Sequence, residues 1–148
     1  MGYYYRPLSG FQKRQALERV WNLVVVVRAE DGTANAGVDF VPFGRRFDIH
    51  DDVEAGTSMV RLVTQIVPIT EGLEYSLPRA AAAYHRYEMR YDPGLQSAEL
   101  WMDGQRILRG YRVHSQYQDN MGVTFGVNAY KGRRGVAAFK SVRFEINP

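Results

Sequence analysis

Residues 84–102 carry the clearest hydrophobic pattern in the chain. Apolar and polar positions alternate along residues 84–91 and again along residues 97–102, with Pro93 and Gly94 between the two runs. Alternation with a period of two is typical of a strand with one buried face. The pattern therefore predicts an antiparallel hairpin that turns at Pro93-Gly94. The side chains expected on its buried face are His85, Tyr87, Met89, Tyr91, Ala98, Leu100 and Met102.

Similar runs recur along the chain, and turn signals separate them every 8–12 residues. Asp103-Gly104 predicts a tight turn directly after the hairpin. Residues 70–78 interrupt the strand pattern and residues 110–120 are irregular. A helix capped by Ser9 is expected through Val20, after a loosely structured start at residues 1–8. Further strands are expected at residues 21–28, 38–41, 47–50, 58–67, 122–128 and 136–146, the last with a bulge near Lys140-Ser141.

The number and spacing of these strands predict an all-β fold. A chain of 148 residues is long enough for one domain with a substantial core. We place an N-terminal extension with a short helix at residues 1–20 and the folded domain at residues 21–148. Many short strands with almost no helix favour a sandwich or a barrel.

Two segments resemble a known group of folds. The hairpin contains His85-x-Tyr87 and then Ala98-x-Leu100-x-Met102-Asp103-Gly104, and the chain closes with Gly135-x-Ala137-x-Phe139 and an alternating run to Ile146. This resembles concanavalin A-like (laminin G-like) jelly-roll domains. The resemblance implies a two-sheet antiparallel jelly-roll sandwich with a short N-terminal helix. It also implies a set of functions that runs from lectins and sugar-binding modules to glycosidases, lyases and adhesion modules.

The composition of the chain excludes or disfavours several kinds of binding site and partner. The chain has no cysteine, which excludes disulfides and thiolate metal sites, and its net charge of +3 does not indicate nucleic acid binding. The longest apolar run is too short to span a bilayer, and no signal peptide is visible. An extracellular or periplasmic location is favoured if the chain is a fragment of a longer protein. Nothing in the sequence indicates its oligomeric state.

No catalytic or metal-binding motif is present. Glycosidases of this fold place carboxylates at alternate positions of one strand, whereas Glu88, Asp92, Glu99 and Asp103 are spread over two strands and a turn. We interpret Glu88 and Glu99 as members of cross-strand charge pairs with Arg86 and Arg90. The resemblance makes calcium a candidate cofactor at residues 48–52, but we interpret this segment as part of a solvated acidic loop and predict no metal ligands.

Trp101 is the strongest candidate for a binding residue. It alternates outward on its strand, and an exposed indole ring can stack on a sugar. Arg86, Glu88 and Arg90 are expected on the same outer face, where they could bind hydroxyl groups or a sugar carboxylate. The alternative interpretation is that residues 110–120 cover Trp101, or that it belongs to the core.

Three functions remain open at this point. The first is a non-catalytic carbohydrate-binding domain, compatible with a module of a secreted bacterial glycoside hydrolase such as a sialidase. The second is a structural or adhesion module that binds protein, and the third is a divergent glycosidase. The absence of paired carboxylates on one strand counts against the third.

Overall fold

The computed structural model describes residues 2–38, 45–63, 72–78, 80–112, 121–128 and 135–148. These residues form strands and one short helix, α1. The elements are β1 (Gly2–Pro7), α1 (Gly10–Glu18), β2 (Trp21–Glu30), β3 (Thr33–Val38), β4 (Arg45–Asp52), β5 (Thr57–Val63), β6 (Gly72–Pro78), β7 (His85–Asp92), β8 (Ser97–Met102), β9 (Gln105–Arg112), β10 (Gly122–Asn128) and β11 (Val136–Ile146).

The strands form two antiparallel sheets that pack face to face. One sheet has six strands in the order β1-β10-β3-β4-β5-β6, and the other has five in the order β11-β2-β7-β8-β9. The chain changes sheet after β1, β2, β6, β9 and β10. The protein is therefore a two-sheet jelly-roll sandwich with a short N-terminal helix, as the sequence pattern and the resemblance predict.

Large aromatic side chains occupy the space between the sheets. Trp21 is completely buried and lies against Tyr91 and Phe144, with ring centroids 5.1 Å and 5.5 Å away. Phe47 of the six-stranded sheet meets Tyr87 of the five-stranded sheet at 6.0 Å. Because this last contact joins the two sheets, it fixes their inner faces against each other.

The central hairpin has the predicted register. Tyr87 pairs with Met102 and Met89 with Leu100 across β7 and β8, and residues 93–96 form the turn. Tyr87 and Leu100 are fully buried, as predicted. His85 and Met102 are only partly buried, so the prediction for these two is wrong. They lie at the open end of the hairpin, where Met102 packs against the core and the His85 ring contacts Asp103, the carbonyl of Ala80 and the Tyr87 ring.

The N-terminal segment differs from the prediction. Residues expected to be loosely structured form β1, an edge strand that pairs with β10 over its whole length. Ser9 does cap α1, since its hydroxyl accepts a hydrogen bond from the Gln12 backbone and the Gln12 side chain accepts one from the Ser9 backbone. The helix ends at Glu18, and it buries Ala16 but leaves Phe11 and Leu17 exposed.

Two further segments correct the sequence interpretation. Residues Gly72–Pro78, taken as an interruption, form β6. Strand β4 continues to Asp52, so the turn that follows is confined to residues 53–56. The bulge predicted near Lys140-Ser141 is confirmed by a register shift between Phe139 and Ser141. The predicted features at residues 39–44, 64–71, 113–120 and 129–134 lie outside the described residues.

Replacing Leu100 tests the assignment of the core. Leu100→Ala removes a side chain with no solvent exposure, and we expect it to lower the free energy of unfolding by about 2–5 kcal/mol. Leu95→Ala is the matched control, because Leu95 is 66% exposed in the hairpin turn and its loss should cost less than about 0.5 kcal/mol. Urea unfolding followed by circular dichroism measures both. Equal losses would place Leu100 outside the core.

Candidate functional site

Each sheet has an outer face that carries polar side chains. We call the outer face of the five-stranded sheet the Trp101 face and that of the six-stranded sheet the Asp48 face. The Trp101 face is defined by Asn22, Arg86, Glu88, Arg90, Glu99, Trp101 and Arg106. The Asp48 face is defined by Tyr3, Thr33, Asn35, Arg46, Asp48, His50, Arg61 and Glu74.

The Trp101 face brings together all four residues predicted for a binding site. Arg86, Glu88 and Arg90 alternate along β7, and Glu88 pairs directly with Trp101 on β8. Trp101 is partly exposed, and its other cross-strand neighbour is Arg106 on β9. Side chains directly opposite each other on neighbouring strands lie within contact distance. The indole therefore lies between a carboxylate and a guanidinium.

Glu88 is held from two sides. The Asn22 side-chain amide on β2 donates to Glu88 Oε1 at 2.6 Å, and the Arg86 guanidinium donates to Glu88 Oε2 at 3.0 Å. Asn22 is almost completely buried, so it provides a rigid support for the carboxylate. Such charge-assisted hydrogen bonds orient Glu88 and leave Arg86 with donors directed to solvent.

Glu99 orients the indole ring. Trp101 Nε1 donates to Glu99 Oε1 at 3.2 Å, and Arg106 donates to Glu99 Oε2 at 3.4 Å. The carboxylates of this face are therefore engaged with arginines. The predicted cross-strand pairing with Arg86 and Arg90 is wrong in detail. Glu88 pairs with Arg86 on its own strand, Glu99 pairs with Arg106 on β9, and Arg90 pairs with neither.

Arg90 borders a small recess that also reaches Glu99, the residue that accepts a hydrogen bond from the Trp101 indole. The recess has a volume of about 160 Å³ and is lined in part by Arg90, Ser97 and Glu99. Arg90 is exposed and makes no ion pair with any described residue, although Glu99 is its cross-strand neighbour. The recess thus offers one cation, one hydroxyl group and the two carboxylates of Asp92 and Glu99 to a polar ligand that contacts Trp101.

The turn after β8 anchors one end of the Trp101 face. Asp103 and Gly104 have φ angles of 51° and 81°, and positive values at both positions suit a tight two-residue hairpin turn. Asp103 accepts hydrogen bonds from the Arg86 backbone at 2.9 Å and from His85 at 2.5 Å. Desolvation opposes ionisation of Asp103, but these hydrogen bonds outweigh it and hold its pKa below the usual value.

The Asp48 face contains a polar row that crosses the six-stranded sheet. The cross-strand register places Tyr3, Gly126, Asn35, Asp48, Arg61 and Glu74 in this order. The Asn35 amide donates to the Tyr3 hydroxyl at 3.2 Å. Gly126 allows the Tyr3 ring to lie on the strand, since a Cβ atom there would collide with it. Sequence reasoning missed this row because its members come from distant segments.

Buried charges stabilise the centre of the Asp48 face. Asp48 contacts Arg46 at 3.0 Å and Arg61 at 3.3 Å, and the three side chains are nearly inaccessible to solvent. His50 lies on the same face, where its Nδ1 is 2.7 Å from the Thr33 hydroxyl. Desolvation is the main cause that lowers the pKa of His50 to about 4; the attraction of Asp48 opposes this shift, and the charges of Arg61 and Arg46 add to it. His50 is therefore neutral at pH 7.

The acidic residues at positions 48–52 do not converge on one point. Asp48, His50 and Asp52 alternate with Asp51, whose carboxylate instead accepts hydrogen bonds from Ser58 and from the Asp31 backbone. All four are buried, so the interpretation of a solvated acidic loop is wrong. Strand alternation separates their carboxylates onto opposite faces of the sheet. Among the described residues, no three His, Asp or Glu side chains are grouped as metal ligands.

Comparisons with known proteins establish the fold. No family model matches the sequence, and no curated protein matches it. Solved structures match over most of the chain. They include a tetrameric galectin from the ball sponge Cinachyrella (TM-score 0.56, 11% identity, 96% of this chain and 98% of that one).

Two further structures have the same architecture. One is the carbohydrate binding module CBM66 from Bacillus subtilis (TM-score 0.57, 9% identity, 86% of this chain and 75% of that one). The other is a carbohydrate esterase from the Shiga toxin-encoding bacteriophage phi24B (TM-score 0.63, 12% identity, 90% and 71%). The chain therefore has the concanavalin A-like jelly-roll fold.

In the described part of the chain, no helix has the length and hydrophobicity needed to span a membrane.

Removing the charge of Asp48 tests the buried ion cluster. Asp48→Asn leaves two buried guanidinium groups without their shared carboxylate, and we expect a loss of about 3–5 kcal/mol in the free energy of unfolding. The control is Glu30→Gln, which removes an exposed ion pair with Arg28 and should cost less than about 1 kcal/mol. Denaturant unfolding measures both. Similar small losses would show that the cluster contributes little.

His50 should make stability depend on pH. The unfolded chain takes up a proton at His50 near pH 6.5, whereas the folded protein does so only near pH 4, so stability falls as the pH drops through this interval. By pH 4.5 the loss should reach about 2–3 kcal/mol. The measurement compares unfolding free energies at pH 7 and 4.5 in the wild type and in His50→Gln. Identical changes in both proteins would contradict the assignment of a neutral, buried His50.

Proposed function

We propose that this protein is a non-catalytic carbohydrate-binding domain whose ligand lies on the Trp101 face. One observation carries the proposal: a partly exposed indole is fixed by Glu99 and flanked by Glu88 and Arg106. An oriented aromatic ring can stack on the C–H face of a sugar ring, and the adjacent charged groups can bind its hydroxyl groups. Matches to a galectin and to a carbohydrate binding module support this class of function.

The charges of the face favour an anionic sugar. Arg90 has no ion-pair partner among the described residues, and Arg86 is exposed beyond its contact with Glu88. A guanidinium group binds a carboxylate in a bidentate manner, which supplies direction as well as attraction. A shallow site of this kind buries little surface, so we expect affinities in the micromolar to millimolar range.

A structural or adhesion role remains the alternative, as does a divergent glycosidase. The centre of a protein-binding patch is typically depleted in charged residues, whereas Glu88, Glu99 and Arg106 surround Trp101 on this face. A glycosidase would need one carboxylate to act as an acid, and both Glu88 and Glu99 are occupied by arginines. We further propose that the domain is a module of a secreted bacterial glycoside hydrolase such as a sialidase. Detection of the natural polypeptide at only the length of this chain would contradict that last point.

The Asp48 face is a second candidate for the sugar site. The observation that favours it is the continuous polar row, which ends in the exposed Glu74 on β6. Most of its other polar groups are buried against one another, which leaves fewer of them to a ligand. This is why the Trp101 face is preferred.

Substitution of Trp101 tests the proposed site. A glycan array on the purified protein identifies a ligand, and titration calorimetry then compares the affinities of the wild type and the variants for that ligand. Trp101→Ala should weaken binding at least about tenfold without unfolding the protein, because it removes the stacking surface. Phe11→Ala is the control, since Phe11 is an exposed aromatic residue on α1, away from the face.

Other outcomes separate the alternatives. Loss of binding in Glu74→Gln with unchanged binding in Trp101→Ala would move the site to the Asp48 face. Absence of any glycan ligand, together with specific capture of a protein partner, would favour the adhesion role. Turnover of a glycoside that disappears in Glu99→Gln would establish an enzyme.

A further inference from the structure

A groove runs along the side of the sandwich where both sheets end. Strand β1 is the edge of the six-stranded sheet and β11 is the edge of the five-stranded sheet, and a cavity of about 690 Å³ lies between them. Its floor is aromatic. Phe125 lies 5.0 Å from Phe139, and Tyr4 stacks on Phe125 at 5.1 Å with an interplanar angle of 15°.

The interior of the sandwich is accessible through this groove. Phe139, Val142 and Phe144 of β11 pack against the core, yet each is only partly buried. Tyr4 pairs with the core-facing Phe125, and it is nevertheless 70% exposed. Exposed apolar surface of this kind is unfavourable in water and marks a site that a ligand can cover.

Arg6 is the one charged residue among the described residues that line the groove. It pairs with Val123 and lies two positions from Tyr4, so it shares the inward side of β1. It makes no ion pair with a described residue, and none of the lining residues that the structure describes carries a carboxylate. Gln12 and Ser141 add neutral polar groups. The groove therefore combines an aromatic surface with one unneutralised cation.

We infer that this groove binds a single-chain amphiphile with a carboxylate head, the chemical class of fatty acids. The acyl chain lies on Phe125, Phe139 and Phe144, and the carboxylate pairs with Arg6. The cavity volume falls within the range of about 300–1,000 Å³ that is typical of small-molecule sites. Nothing in this assignment depends on the sugar site, since the groove is separate from the Trp101 face.

A second copy of the chain fits the groove less well. A two-fold contact would bring the same surface from the partner, and this surface offers no carboxylate to Arg6. Both arginines would then be removed from water without compensation, which is unfavourable. An anionic amphiphile supplies the missing charge and the apolar surface in one molecule.

Paired ligands and paired variants test the inference. Dodecanoate and dodecanol are titrated below their aggregation limits by calorimetry, so that the two ligands differ only in the head group. We expect one saturable site that binds dodecanoate about three to ten times more tightly than dodecanol. Decanoate should bind more weakly than dodecanoate, by roughly fourfold per methylene group.

Arg6→Gln should abolish the preference for the carboxylate while leaving dodecanol binding unchanged. Arg109→Gln removes the same charge from an exposed position on β9 and should leave both affinities unchanged. Tyr4→Ala should weaken the binding of both ligands, and it should not disturb folding because Tyr4 is exposed. Four results would each overturn the inference. The wild type could bind the two ligands equally or show no saturable binding. The two arginine variants could have equal effects, or self-association of the protein could block binding of the ligands.

Discussion

Alternate side chains along each strand of this sandwich point toward the core between the sheets or toward an outer face, and the rest of the structure follows from that division. Phe47 and Tyr87 meet between the sheets, and their neighbours on the same faces complete the core. Residues at the intervening positions must then point outward. Trp101 and Glu88 share an outer face because Leu100 and Met89 share the inner one. The binding face is thus a consequence of the core register.

Polar side chains that point outward have different surroundings on the two outer faces. On the Trp101 face, each carboxylate has a guanidinium partner and the side chains keep contact with water, so ligand groups can reach them. On the Asp48 face, charges are buried and must neutralise each other, as Asp48 does for Arg46 and Arg61. The first arrangement suits recognition of a ligand from solution, and the second suits specification of one sheet register.

Local patterns predicted the parts of the fold that depend on local contacts. The β7–β8 hairpin, the Asp103-Gly104 turn and the Ser9 cap each form from residues close in sequence. Strand β1 was missed because its partner β10 lies more than a hundred residues away, and its exposed tyrosines show no buried face. The polar row around Asp48 was missed for the same reason: a carboxylate in a strand is expected to be solvated until Arg61 of the neighbouring strand is placed beside it.

Nuclear magnetic resonance of the two indole N–H groups tests the central claim most directly. The chain has two tryptophans, one buried at position 21 and one partly exposed at position 101. During titration with an array-identified glycan, the Trp101 indole signal should shift saturably while that of Trp21 stays in place. Saturable binding that leaves the Trp101 indole unchanged and moves backbone signals of β4, β5 and β6 would contradict a sugar site on the Trp101 face.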